Sequence, residues 1–389
     1  GLSDEKFIAF DGSEFRTPDL IGSISNQNLH GDIDFDMLIV SHSDFLSAAQ
    51  NLSDFHFNKD GSKCKIVTPE EVFNEFSSGK QDISAIRDYC KYLYDLPDST
   101  FKYLLILGDA SYDPKDRIPN NTNFVITYQS ANSVSPLNTF STDDYFGYLD
   151  DNEGEFTNDL VDIGIGRLPA KSLQEANGMV NKIIHYHDLS SRGDWRNIIS
   201  FIADDGDDTD GNIHMQQADN LCNIIDDNYN NYNFEKFYLD IYNQESTPVG
   251  PRSPDCKDAI SRRVEKGALL VNYTGHGGES GLTSERIIDI DHILDWENYN
   301  NLPLFVTATC EFGRLDNPEL TSGGEHVILN PSGGGVALLT TTRYVYSHLN
   351  YNLNTHFINS LFEKKDAEYP TLGDVFLNTK ALSGTSINS

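Results

Sequence analysis

Positive charge is what this sequence has least of: 28 Lys and Arg stand against 60 Asp and Glu, a net charge of −32. That balance repels phosphate backbones and bare anionic membranes, which argues against nucleic acid as a partner. Calcium or a cationic partner would be attracted, although carboxylates that only keep a surface soluble account for the same number. Long apolar runs are also missing, and none approaches the length of a membrane span. The opening Gly1-Leu2-Ser3-Asp4-Glu5-Lys6 is not a signal peptide, so the chain reads as cytosolic or as a mature fragment cut from a longer precursor. Cysteine is sparse. The five residues Cys64, Cys90, Cys222, Cys256 and Cys310 form no C-x-x-C pair, which excludes zinc ribbons and thioredoxin-type redox motifs. An odd count leaves at least one thiol free in an oxidising compartment. Cys64, Cys90 and Cys222 lie in or beside apolar stretches and read as core thiols, whereas Cys310 is set apart by its position.

What the chain does have is a folded protein's supply of apolar residues, 38% hydrophobic with 19 Tyr and 22 Phe over 389 residues. That length suits two domains, or two halves of one. Short β-branched runs alternate with helical spacing. Met37–Val40, Lys65–Val67, Tyr103–Leu107 and the run from Val161 to Pro169 read as strands, with a helix over Ile83–Leu93 among them. Ser172-Leu173-Gln174-Glu175 reads as a capping box that opens a helix to about His187. After a polar linker at 190–194 the alternation restarts with Asn197–Ala203, the acidic loop 204–210, a helix from about Ile213 to Ile225, and a strand from Phe234 to Ile241. Ser253-Pro254 opens a further helix that Gly267 closes. Strands separated by helices make βαβ units and a mostly parallel sheet. We therefore expect two consecutive α/β subdomains, 36–190 and 191–389, behind a polar lead-in segment 1–35.

Two stretches of the second half carry chemistry. Leu269-Leu270-Val271-Asn272-Tyr273-Thr274 is a buried strand followed by Gly275-His276-Gly277-Gly278, and Leu304-Phe305-Val306-Thr307-Ala308-Thr309 is another followed by Cys310. Ligands of open α/β sheets sit beyond the carboxyl ends of the strands, so an imidazole and a thiol at two such ends can share a site. A thiolate attacks carbonyls; the imidazole would accept the thiol proton, and the backbone N–H groups of Gly277 and Cys310 would receive the oxyanion. A histidine and a cysteine at strand ends are also common without any function, and glycines beside a histidine can simply make a turn. A zinc site would need two further ligands, and no second close-spaced pair exists. An acid that orients the imidazole is sought after the preceding strand, where Asp204 and Asp205 stand, although each equally suits a solvated loop. The same loop fails the EF-hand pattern, because the register that places Asp208, Asp210 and Gly211 puts Gly206 first and Gln217 last. Asp143, Asp144, Asp150 and Glu153 are no better as calcium ligands.

At these residues the chain resembles the gingipain family of cysteine peptidases, and within it the PorU-type sortases of the type IX secretion system. The resemblance rests on Asn272-Tyr273-Thr274-Gly275-His276-Gly277, Ala308-Thr309-Cys310-Glu311-Phe312-Gly313-Arg314 with Asp316 and Pro318, and Ile165-Gly166-Arg167-Leu168-Pro169. Asn26-Gln27-Asn28-Leu29-His30-Gly31, Ser322-Gly323-Gly324-Glu325 and Thr340-Thr341-Thr342-Arg343 extend it over nearly the whole chain. The resemblance implies a caspase-like α/β fold in two subdomains, with the site in the second. It implies Cys310 as nucleophile, His276 as base, Asp205 as orienting acid, and Gly277 and Cys310 amides at the oxyanion. His214 falls where gingipains proper carry an acid in the primary specificity pocket, which argues against strict basic-residue specificity; Tyr346 falls near the pocket aromatic. The chemistry implied needs no cofactor, and a structural calcium ion is left open. The implied function is removal of C-terminal sorting domains from secreted cargo, with transfer of the acyl group to an anionic lipopolysaccharide. It would take place at the bacterial outer-membrane surface beside the barrel protein PorV and other secretion components. A purely hydrolytic secreted endopeptidase and a non-catalytic partner-binding module on a peptidase scaffold are the alternatives. The chain then corresponds to an excised catalytic domain.

Overall fold

The computed structural model describes residues 11–12, 17, 19–20, 22–131, 134–154 and 159–384. Two parallel sheets organise it. The first contains β1 (Met37–Ser41), β2 (Cys64–Val67), β3 (Tyr103–Leu107) and β4 (Gly164–Leu168) in the order β2-β1-β3-β4. The second contains β5 (Ile198–Ala203), β6 (Asn233–Tyr238), β7 (Leu270–Thr274), β8 (Leu304–Ala308) and β9 (Ala337–Leu339) in the order β9-β8-β7-β5-β6. Every pair within these two sheets is parallel. This is the α/β architecture that the alternating runs predict.

Alternation along each strand separates two core layers per sheet. In β1, Leu38 and Val40 pack with the helix α3 (Ile83–Tyr94), while Ile39 packs with α1 (Leu46–Asp60) and α4 (Leu173–Tyr186) on the other face. In the second sheet Val271, Tyr273 and Phe305 meet α6 (Pro254–Lys266). Leu270, Leu304 and Val306 meet α5 (Ile213–Asn228) and α8 (Ser347–Phe362). The helix starts are only partly those expected. Ser172 accepts from the Glu175 N–H, but Glu175 turns back to the N–H of Lys171 at 2.7 Å instead of closing a box. Complete capping boxes form at Thr68/Glu71, which opens α2 (Pro69–Phe76), and at Ser322/Glu325, which opens α7 (Gly323–Leu329).

Several connections bind the halves, among them one from α4 and one from the last helix. Lys182, on α4 and buried, donates to the carbonyls of Val327 (3.5 Å), Asn330 (3.2 Å) and Gly333 (2.9 Å) in the second half. The last helix, α9 (Leu372–Ser383), returns to the first half, where the Tyr103 hydroxyl donates to Asp374 at 2.8 Å. A Cβ on Gly164 would come within 2.7 Å of the Gly373 carbonyl, so the helix lies directly on β4. The 191–389 stretch therefore contributes a helix to both cores. The lead-in segment needs a correction as well. Residues 1–10, among them Gly1 to Lys6, lie outside the described residues, but Leu29 and Phe35 are buried in the first core. Gln27, the Leu29 amide and His30 all bond Glu75 of α2, so this motif clasps a helix, an end a polar run does not announce.

Candidate active site

The register of the second sheet decides what can meet. β7 and β8 are neighbours, and Thr274 pairs with Ala308. His276 and Cys310 each stand two residues beyond that last pair, on adjacent chain ends at the carboxyl rim. The two turns touch, since a Cβ on Gly277 would lie 2.6 Å from the Thr309 hydroxyl. Only glycine fits there, and its backbone stays open to the rim.

The cysteine turn is held tightly. Glu311 takes a left-handed conformation (φ 54°), its N–H donating to the Arg343 carbonyl at 3.2 Å. Arg343 is itself fixed by the buried Asp316 carboxylate, at 2.8 and 2.5 Å. Arg314 donates to Glu279 at 2.6 Å, which ties the cysteine turn to the segment after His276. A Cβ on Gly313 would run into the Thr340 side chain, and Gly323 and Gly324 close over Phe312. Among the described residues no acceptor faces the Cys310 N–H, which leaves it available to an oxyanion.

The side chains themselves are not paired in this resting arrangement. The Cys310 thiol points to the Val345 carbonyl at 3.7 Å, and burial, reinforced by the negative charge of Glu311, pushes its pKa up. The His276 imidazole is about half exposed and turned toward the acidic loop after β5, its Nε2 3.5 Å from Asp207 and 3.4 Å from Asp210. His214 crosses it edge-on, with ring centroids 5.0 Å apart. Two carboxylates are far stronger acceptors for a ring N–H than a protonated thiol, which is a physical reason for the turn.

The acid positions also differ from the expectation. Asp205 accepts from the Gln244 amide at 2.6 Å, and the carboxylate next to it takes its place beneath the histidine: Asp204, buried, accepts the His276 backbone N–H at 2.9 Å. Burial raises the Asp204 carboxyl to about 7. Asp204 thus positions the histidine's backbone, while Asp207 and Asp210 face its ring. The acidic run 204–210 was the only sequence signal for this, and it does not say which carboxylate turns inward. His214 is buried beside the imidazole, as a pocket wall would be, whereas Tyr346 is exposed next to Val345 and packs on His348. Ile165-Gly166-Arg167-Leu168-Pro169 turns out structural: Arg167 grips Asp143 at 2.7 Å through two nitrogens and three carbonyls besides. Among the described residues two groups could hold a metal, Asp210 with His214 and His276, and Asp204 with Asp205 and Glu285.

Comparison with known proteins matches residues 30–388 to the family model of peptidase family C25. The chain belongs to peptidase family C25. Gingipain R2 of Porphyromonas gingivalis is 21% identical over 260 residues, 66% of this chain and 29% of that protein. Gingipain R1 of the same organism is 21% identical over the same share of this chain and 22% of its own length. The chain thus spans under a third of the curated relatives it matches. The complex of RgpB pro- and mature domains from P. gingivalis shares the fold with a TM-score of 0.67 at 19% identity, covering 91% of this chain and 77% of that one. The dimeric latent PorU of P. gingivalis matches over 46% of this chain and 18% of its own at 33% identity, with a TM-score of 0.40. The gingipain-like, two-sheet reading of the C25 chain is therefore correct.

Proposed function

We propose that this C25 chain is the catalytic part of a cysteine transpeptidase that removes C-terminal sorting domains from exported cargo. The observation that carries the chemistry is the paired register of Thr274 and Ala308, which delivers His276 and Cys310 to one rim with glycine backbone between them. The sortase assignment is supported by the sequence resemblance around Cys310.

Catalysis begins when the imidazole leaves Asp207 and Asp210 and takes the thiol proton. The thiolate attacks the scissile carbonyl, and the N–H groups of Cys310 and Gly277 receive the oxyanion. Imidazolium then protonates the departing amine of the sorting domain, leaving a thioester on Cys310. Water, or an amine of an anionic lipopolysaccharide, attacks that thioester while His276 accepts its proton, and the thiol is restored. The reaction asks for no cofactor. Asp204, Asp205 and Glu285 offer the oxygen donors a structural calcium ion would take. An imidazole, His214, forms the wall beside the histidine, which suits a peptidase without strict preference for basic residues. Exported location at the outer-membrane surface, with PorV and other secretion components as neighbours, follows from the same reading.

The test is processing of a cargo protein bearing its sorting domain. Cys310→Ala should abolish cleavage while circular dichroism and melting stay unchanged; residual cleavage by that variant refutes the nucleophile. Product masses with an amine acceptor present separate transfer from the hydrolytic alternative. Complete inertness of the wild-type chain toward cargo and toward thiol electrophiles would instead favour a partner-binding module.

A further inference from the structure

The histidine's unexpected partners form a second arrangement. Asp210 Oδ2 lies 3.4 Å from His276 Nε2 and 3.7 Å from His214 Nε2, and one donor atom from each of the three residues fits within 4.8 Å of the others. A tetrahedral zinc ion with bonds of about 2.0–2.1 Å separates its ligand atoms by about 3.3 Å, so small side-chain adjustments suffice. A second observation points to a ligand. The His214 side chain is only 6% exposed, yet neither of its ring nitrogens has a hydrogen-bond partner. Buried polar atoms in native proteins almost always have partners, and this imidazole sits edge-on to His276 with none. Two imidazoles and one carboxylate are the donor set of zinc, not of calcium or magnesium, which take oxygen. Three protein ligands leave the fourth position for water, or for Asp207, whose carboxylate already stands 3.5 Å from His276 Nε2.

We infer that Asp210, His214 and His276 form a binding site for Zn2+ or a similar divalent transition ion, and that metal bound there holds the peptidase inactive. The block follows from one ring serving two purposes: an imidazole held on metal toward Asp210 cannot turn to accept the Cys310 proton. This consequence rests on His276 being the base, as proposed above, whereas the binding does not. The sequence conceals the site because its ligands are Asp210 in the turn before α5, His214 in that helix's first turn, and a residue more than sixty positions later.

Calorimetric titration of Zn2+ into untagged Cys310→Ala protein, with Co2+ visible absorption as a second readout, tests the binding without the thiol. One site per chain is expected, with a tetrahedral cobalt spectrum. His214→Ala and Asp210→Asn should each weaken it at least tenfold. Asp210 is partly exposed, so Asp210→Asn guards against a folding defect in His214→Ala. Absence of binding, affinity within threefold in both variants, or binding that needs Cys310 would each overturn the site. If the site behaves as described but Zn2+ does not slow cargo cleavage by the wild-type chain, the site stands and His276 is not the base.

Discussion

Releasing the His276 imidazole from its acids should make the Cys310 thiol more reactive. In the double variant Asp207→Asn/Asp210→Asn the ring loses two contacts, of 3.5 and 3.4 Å, to carboxylates that are themselves partly exposed. Screened contacts of this kind contribute roughly 0.3–1 kcal/mol each. Their joint loss, about 0.6–2 kcal/mol, shifts the population of the ring turned toward Cys310 by about three- to thirtyfold. Asparagine at 207 keeps the acceptor that bonds the N–H groups of Thr209 and Asp210, so the loop itself should hold. The assay is alkylation by iodoacetamide at neutral pH, read peptide by peptide with mass spectrometry. Cys64, partly buried at the start of β2, serves as the internal reference. The Cys310 rate should rise by that factor and its pH midpoint should fall, because the burial that now raises the thiol's pKa gains an imidazole to offset it. An unchanged rate would refute the reasoning, and so would a parallel rise at Cys64, which would mean general loosening.

Three further outcomes follow from the packing. Burial brings the Lys182 amine to about 7 from an ordinary 10.5, so between those values the unfolded chain binds more protons and stability climbs with pH, flattening below 7. Lys182→Met should erase that slope in denaturant melts and, by leaving three carbonyls unmet, cost about 2–3 kcal/mol at pH 8. Asp316→Asn strands the buried Arg343 guanidinium and should cost roughly 3–5 kcal/mol, with a matching fall in Tm. Gly277→Ala drives a Cβ into the Thr309 hydroxyl; turnover should drop about a hundredfold with little change in melting, as expected when an oxyanion donor is displaced.

Much of this was legible in the residues because strand chemistry is local. Four to six apolar residues ending in a glycine-flanked histidine or in a cysteine mark β7 and β8, and parallel pairing follows from the intervening helix and loops. The orientation of side chains was not legible. The ring of His276 turns to carboxylates some seventy positions earlier, and the choice among Asp204, Asp205, Asp207 and Asp210 depends on how one loop folds back. Position after the strand left Asp204 and Asp205 open and the resemblance implied Asp205, but Asp204 is the one that β5 directs inward beneath the His276 amide. Arg167, Gln27 and His30 lie in motifs that carry the family resemblance, yet their polar atoms meet backbone carbonyls, Asp143 and Glu75. Lys182 sits on the apolar face of a helix, where pattern alone cannot show the carbonyls that receive it.

The central claim is that Cys310, served by His276, forms the acyl bond. Rapid acid quench of the chain with sorting-domain cargo, followed by peptide mapping, measures it most directly. The account predicts the cargo's acyl fragment as a hydroxylamine-sensitive thioester on the peptide holding Cys310, depleted in His276→Ala and absent in Cys310→Ala. Cargo cleavage with no thioester at Cys310, or an adduct on another residue, would contradict it.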